Sequence, residues 1–202
     1  MSEAGDATRK ALLDAAEELL ISKGVAGITT RKVANRAGVN QALVHYHFGT
    51  IEELLLAALE RVSVQVKQRS EEIYRTDRSF FAGWFEEMET MITADVTRGW
   101  GKVWLESLTL ATNRPKMRKQ YVQASTMTRK LHEQQVSETL EELGVDTEEF
   151  PPQGVVTLLD AITSKLILDR LVGIRAGHHE LLGMLHRVLG QLEKPLEREG
   201  AR

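Results

Sequence analysis

The chain has 202 residues, 42% of them apolar and 27% charged, with four prolines and no cysteine. A chain of this length buries a core without cross-links, and the missing cysteine excludes a disulfide framework, a thiol nucleophile and thiolate metal sites. The formal net charge is −3, yet residues 1–51 carry six Lys/Arg against five Asp/Glu, so the acidic excess lies wholly beyond them. No run reaches the roughly 18 apolar residues of a membrane span, and Met1 to Lys10 lacks a leader pattern. The reading is a cytoplasmic protein without membrane contact.

Hydrophobic periodicity predicts about nine helices and no strands, an all-α chain. Helix 1 is expected near Asp6 to Lys23, stopped by Gly24, with Ala11, Leu12, Ala15, Ala16, Leu19 and Leu20 at three- and four-residue steps. After a loop from Val25 to Ile28, helix 2 runs near Thr30 to Ala37, N-capped by Thr29 and ended by Gly38. Helix 3 runs near Gln41 to His47, with Asn40 as N-cap. Helix 4 starts near Thr50, places Glu52 and Glu53 at its positive dipole end, and continues to about Tyr74.

A break at Thr76 to Ser79 precedes helix 5, to about Val96, whose stripe is Phe81, Trp84, Phe85, Met88, Met91 and Ile92. Helix 6 spans about Gly99 to Thr112. Pro115 opens helix 7, which runs to Leu143 and Gly144. Helices 8 and 9 are expected at about Gly154 to Ala176 and His178 to Glu193, followed by a charged tail. The functional boundary falls near Thr50, dividing residues 1–50 from 51–202.

The informative stretch is TRKVANRAGVNQALVHYHF, Thr30 to Phe48. Two short helices there meet at a tight turn with helix-turn-helix spacing. Ala34 is small where the helices approach, and Gly38 tolerates the positive φ of the turn. Val33, Ala37, Val39 and Val44 lock the pair onto helix 1. Arg31, Lys32, Asn35 and Arg36 on helix 2, and Gln41, Ala42, Leu43, His45 and Tyr46 on helix 3, are left outward. From Leu19 to Ile51 there is no Asp or Glu, while four Lys/Arg and two His occur. An acid-free basic surface suits a polyanion, and an amide beside small apolar groups and a phenol suits the major groove. A helical hairpin with a purely structural role has the same spacing.

The chain resembles the TetR family of bacterial transcriptional regulators over about Asp6 to Leu59. The resemblance rests on KALLDAAEELLISKG, GITTRKVANRAGVN, LVHYHF and the following EELLLAAL. It implies a helix-turn-helix DNA-binding module at 1–50, on a larger helical domain that binds a small molecule and forms the dimer. By that resemblance Thr30, Arg31 and Lys32 open the phosphate-contacting helix, and Gln41, Ala42 and Leu43 face bases. His45 and Tyr46 lie in the phosphate-contacting segment, and His47 packs with Phe48. The chain departs from the pattern at three places: His45 stands where the family often has Tyr, Ala42 replaces a frequent Gly, and Ile51 stands where a phosphate-binding Lys is frequent. With Ile51 there, the amides opening helix 4 are left to meet a phosphate.

Beyond Leu59, helices 8 and 9 are apolar around most of their circumference, which predicts a homodimer through them. Two heads about 34 Å apart then fit a palindromic double-stranded operator. Trp84, Met88, Trp100, Trp104, Met117, Tyr121 and Met127 on helices 5 to 7 are candidates for a cavity that takes a small hydrophobic or aromatic effector; core packing is the alternative for each. The expected mechanism is that of a repressor released by ligand through movement of helix 4. Enzyme signatures such as a phosphate-binding Gly loop, G-x-S-x-G and H-E-x-x-H are missing. His45 and His47, two apart, point to different faces, so neither catalysis nor a metal or cofactor is expected. The alternative reading is a helical small-molecule- or partner-binding protein with a weak or vestigial DNA module.

Overall fold

The computed structural model of the chain describes residues 3–75, 79–95 and 98–192. Among them there are nine α-helices and no strand: α1 Glu3–Lys23, α2 Thr30–Ala37, α3 Ala42–Phe48, α4 Ile51–Tyr74, α5 Phe80–Thr90, α6 Trp100–Asn113, α7 Pro115–Glu142, α8 Pro152–Leu171 and α9 His178–Leu192. The all-α expectation holds. α1 begins three residues earlier than expected, and Val25–Gly27 forms a 3-10 turn. α5 passes into a π turn at Met91–Asp95. α8 stops at Leu171, short of Ala176, where Gly173 takes a positive φ of 85°. The expected break at residues 76–78, the expected end of helix 5 at Val96, and the tail lie outside the described residues.

The chain forms two compact units, residues 1–68 with 97–125 and residues 69–96 with 126–202. These units of packing do not follow the functional boundary expected near Thr50, and both α4 and α7 supply residues to each unit.

In the first unit α1 is the hub. Its Leu12, Leu13, Ala15, Ala16 and Leu20 are buried against Val33 and Ala34 of α2, Val44 and Phe48 of α3, Leu54, Leu55 and Ala58 of α4, Val103 of α6 and Met117 of α7. Leu12, Leu20 and Leu54 are completely covered, and truncating any such leucine to alanine costs about 3–5 kcal/mol. On the rim, Arg61 of α4 holds α1 through Glu17 at 2.5 Å and Asp14 at 2.9 Å. Lys10 first, with Arg61 beside it, keeps the Asp14 carboxyl below its usual range. Gln120 of α7 donates to the Leu56 carbonyl.

The second unit packs Phe80, Phe81, Trp84 and Met88 of α5, Val136 and Leu140 of α7, and Val156, Leu159, Leu166 and Ile167 of α8 into its interior. Within that apolar interior sit Ser70, Glu87 and His132. Ser70 donates to Glu87 Oε1, the Tyr74 hydroxyl donates to Oε2 at 3.1 Å, and His132 Nε2 lies 3.3 Å from Oε2. Burial pushes the Glu87 carboxyl up, but the imidazole and the two hydroxyls outweigh it and hold the group below its usual range. Burial first, and the Glu87 charge second, push the Tyr74 phenol well above its ordinary value.

Two measurements check this packing. Gly24 and Gly38 share nearly the same left-handed φ, 71° and 68°. A Cβ on Gly38 would meet nothing, whereas one on Gly24 would fall onto the Glu106 carboxylate. Gly38, at ψ 28°, is left-handed helical, and Gly38→Ala is expected to destabilise by about 1–2 kcal/mol of backbone strain. Gly24, at ψ −178°, holds a conformation essentially confined to glycine and also faces Glu106, so Gly24→Ala should cost more, read from denaturant midpoints, and equal losses would contradict that account. Stability against pH provides the second check. Glu87 is depressed in the native state, so its contribution is present above the unfolded value of about 4.3 and fades as pH falls through the native pKa. Tyr74 is raised, so the unfolded chain ionises first and stability declines as pH climbs past about 10. Tyr74→Phe should flatten that alkaline limb and Glu87→Gln part of the acid limb; unchanged limbs would contradict the assignment.

Candidate nucleic-acid interface

The geometry of α2 and α3 follows from their caps. Thr29 accepts a hydrogen bond from the Lys32 amide at 3.3 Å and starts α2. Gly38, at φ 68°, closes it with its N–H on Ala34 and Asn35 carbonyls. Asn40 Oδ1 accepts from the Ala42 amide at 2.8 Å, so this side chain orders the first turn of α3, although Gln41 occupies the backbone cap position. Val33, Ala34, Val44 and Phe48 are buried inward, with Ala37 and Val39 partly buried behind them. The opposite sides of both helices are therefore solvent-facing.

Of the eight side chains expected to meet DNA, Arg31, Lys32, Gln41, Ala42, His45 and Tyr46 are exposed, and Thr30 and Leu43 are half-buried. Tyr46 is 81% exposed, a large aromatic surface for a side chain with no core role. Its ring meets His47 edge-on at 5.0 Å. His47 is half-buried and also tilts against Phe48. His45 Nδ1 lies 2.9 Å from the Gly49 carbonyl. With the proton on Nδ1 it donates to that oxygen, leaving Nε2 for an outside partner.

The charges on this face are unequal in availability. Arg36 pairs with Glu18 of α1, so its cation is engaged within the fold. Arg9 lies over the Phe48 ring, 5.0 Å from its centre. Among the described residues neither Arg31 nor Lys32 has a salt-bridge partner. Those two exposed cations stand at the opening of α2, open to solvent.

The start of α4 carries a reciprocal cap. Thr50 Oγ1 accepts from the Glu53 amide at 3.1 Å, and Glu53 Oε2 accepts from the Thr50 amide at 3.1 Å. The Thr-x-x-Glu spacing announces such a capping box, and the sequence reading passed over it. Two of the amides expected to be left for a phosphate are thus occupied, and a carboxylate stands beside them. Ile51 is half-buried and packs on the head's apolar core. It lines a cleft of about 590 Å³ with Val25, Ile28, Leu55, Glu106 and Leu110. The Glu106 carboxylate of α6 accepts the Val25 N–H across 81 residues of sequence. No local sequence signal announces that bond.

The seven side chains expected to line an effector cavity fall in both units. Trp84 and Met88 are buried in the second unit. Met117 belongs to the core cluster of the first, against which Trp100 packs. Trp104 and Tyr121 are half-buried, and Met127 is exposed. Among the described residues no helix is long and apolar enough to cross a membrane.

Residues 12–58 match the family model described as bacterial regulatory proteins, tetR family. Over 51 residues the chain is 43% identical to the HTH-type transcriptional regulator BetI of Rhizobium meliloti, a match covering 25% of each chain. The chain therefore spans about a quarter of the length of that curated relative. A transcriptional regulator from Saccharomonospora viridis, solved in complex with choline, has the same fold over 94% of this chain and 97% of its own, with a TM-score of 0.77 and 24% identity. FadR from Bacillus subtilis, solved with stearoyl-CoA, aligns over 91% and 96% with a TM-score of 0.65 and 15% identity. Those two likenesses concern the fold. Residues 12–58 thus carry a domain that matches the tetR family of bacterial regulatory proteins, set in an all-helical fold shared with these solved regulators.

Proposed function

We propose that the protein is a DNA-binding repressor that grips a palindromic operator as a homodimer and is released by a small-molecule effector. One observation carries the DNA reading: an exposed α2–α3 face presents Arg31, Lys32, Gln41 and Tyr46 within a stretch that holds no carboxylate from Leu19 to Ile51. Phosphates are drawn by Arg31 and Lys32, and base edges meet Gln41, Ala42 and Leu43. Thr30, His45 and Tyr46 complete the contact with the backbone.

The dimer reading is supported by α8, α9 and the turn that joins them. Leu158 and Val172 are 63% and 72% exposed, and Ile174, Met184 and Val188 are each 48% exposed. An apolar surface of that kind marks an interaction site, and a second copy on it would place two heads on successive turns of DNA. Effector control is supported by the fold: relatives sharing it were solved with choline and with stearoyl-CoA. A ligand releases the operator only by binding the released arrangement more tightly than the DNA-bound one. Of the candidates, Trp84, Met88 and Met127, all in the second unit, are the proposed contributors.

The occupied cap of α4 and the inward Ile51 favour a second reading, a helical ligand- or partner-binding protein whose DNA module is weak. Salt dependence separates the two. For a dimer meeting about six phosphates, affinity for the DNA upstream of its own gene should fall about 10³-fold between 50 and 200 mM salt. Arg31→Ala and Tyr46→Ala should each weaken binding about tenfold, and Lys32→Ala should reduce the salt slope by about one, with the sedimentation coefficient unchanged. Salt-independent binding, or full affinity in all three variants, would favour the second reading.

A further inference from the structure

We propose that the turn between α6 and α7 is a further contact for duplex DNA, in which Lys116 and Lys119, with Arg114 beside them, meet a phosphate strand next to the start of α4. The inference rests on the DNA reading above and extends its surface beyond α2 and α3. From Ser107 to His132 there is no Asp or Glu, while six Lys/Arg occur. Four of these, Arg114, Lys116, Arg118 and Lys119, fall within six consecutive residues of the first unit. All four are exposed. In a chain of net charge −3 this is a second acid-free basic surface, and it too suits a polyanion.

The fold uses these charges unequally. Arg118 closes α6 by donating to the Ala111 carbonyl at 3.0 Å and the Thr112 carbonyl at 2.7 Å. Arg114 approaches Glu52 at 3.7 Å and Lys116 approaches Glu53 at 3.9 Å. Both pairs are exposed and beyond hydrogen-bond range, so they stabilise little. Among the described residues Lys119 has no salt-bridge partner. The first turn of α7 holds no acid, and its cations oppose the positive end of the helix dipole. Lys116 and Lys119, three residues apart, are neighbours of like charge on the helix surface. An external anion relieves both penalties.

The turn also stands where a DNA backbone has to pass. Arg114, Lys116 and Gln120 meet Glu52, Glu53 and Leu56 in that order. Within the first unit α7 and α4 therefore begin side by side and run in the same direction, with their positive dipole ends together. Glu53 caps Thr50, and Thr50 is two residues past Phe48, the end of α3. A helix of seven residues is about 10 Å long, close to the roughly 12 Å width of the major groove. The chain that leaves such a helix passes over one of the two phosphate strands that wall the groove. The α3–α4 corner is that exit, and Lys116 stands beside the carboxylate that caps it.

At this corner α4 itself offers a phosphate little. Ile51 packs on the apolar core and two amides are taken by the capping box, which leaves Glu52 and Glu53 as the charges of its first turn. The α6–α7 turn reverses the sign, with four cations against those two carboxylates. Lys116 is 65% exposed and exchanges a loose carboxylate for a phosphate at small cost. Exposed lysines neither enclose nor dehydrate a small anion, whereas a phosphate strand brings several charges to them at once. Such a contact adds affinity without reading sequence.

The test is DNA binding by the full-length chain carrying Lys116→Ala and Lys119→Ala together, followed by fluorescence anisotropy between about 50 and 200 mM salt. The probes are the duplex upstream of its own gene and an unrelated duplex of equal length. The double variant should bind both about tenfold more weakly, by the same factor, with a salt slope reduced by about two. Lys102→Ala removes the same charge near the other end of α6, about 16 Å along the helix from Asn113, and should change neither affinity nor slope. The melting temperature of the double variant should hold or rise, because alanine removes the dipole and like-charge penalties. Full affinity in the double variant, an equal loss in Lys102→Ala, a loss on one duplex alone, or a fallen melting temperature would overturn the assignment. If Arg31→Ala weakens binding and the double variant does not, the DNA reading stands and this contact fails. If binding ignores salt and every one of these variants, the DNA reading itself fails.

Discussion

The reading face exists because a few apolar side chains pin two short helices to a third. Helices of seven and eight residues are too short to persist alone. Val33, Ala34 and Val44, almost wholly buried against Leu12, Ala16 and Leu20, supply what local propensity cannot. Ala34 is small enough for close approach, and Gly38 turns the chain without strain. Once these contacts are made, the outward azimuth of every residue in α2 and α3 is determined. Exposure of Arg31, Gln41 and Tyr46 is a consequence of which residues are buried.

Electrostatics then decides what that face attracts. The head is not strongly basic; its advantage is local. Arg36 and Arg61 serve α1 through Glu18, Glu17 and Asp14, and the acids of α1 are thereby engaged by cations of the fold. Arg31 and Lys32 keep their charge for an external anion. At the start of α4 the balance runs the other way: Glu53 occupies the Thr50 amide and Ile51 turns into the core. The proposed grip on phosphate accordingly rests on α2 and α3 more than on α4.

Much of this was legible in the sequence. Apolar periodicity located all nine helices, because each buries a stripe, and Thr29, Asn40 and Gly38 announced the caps and the turn around α2 and α3. Six of the eight side chains proposed to face DNA are exposed. Leu43 is half-buried because it sits at the edge of the packed face. What the sequence concealed depends on distance. The Glu106 bond to the Val25 amide joins residues far apart in the chain, as does the Glu87 cluster assembled from α4, α5 and α7. Glu87 stands beside Glu86 and Glu89, off the apolar stripe of α5, and reads as part of a solvated face, whereas the fold buries it. Met117 illustrates the converse: a methionine that composition offers to a cavity fills the first unit's core. The early end of α8 reflects Gly173, whose positive φ interrupts an apolar run.

The two units divide the work along chemical lines. The first unit spends its apolar surface on holding a polar reading face outward, and the second encloses a charged group within an apolar interior. The central claim concerns the first, and its most direct test is to let the protein choose among random-sequence DNA duplexes and sequence those it retains. The account predicts an inverted repeat whose half-sites are centred about 34 Å apart, one helical turn, or a multiple of it. Retention of no common sequence, or of an asymmetric one, would contradict it.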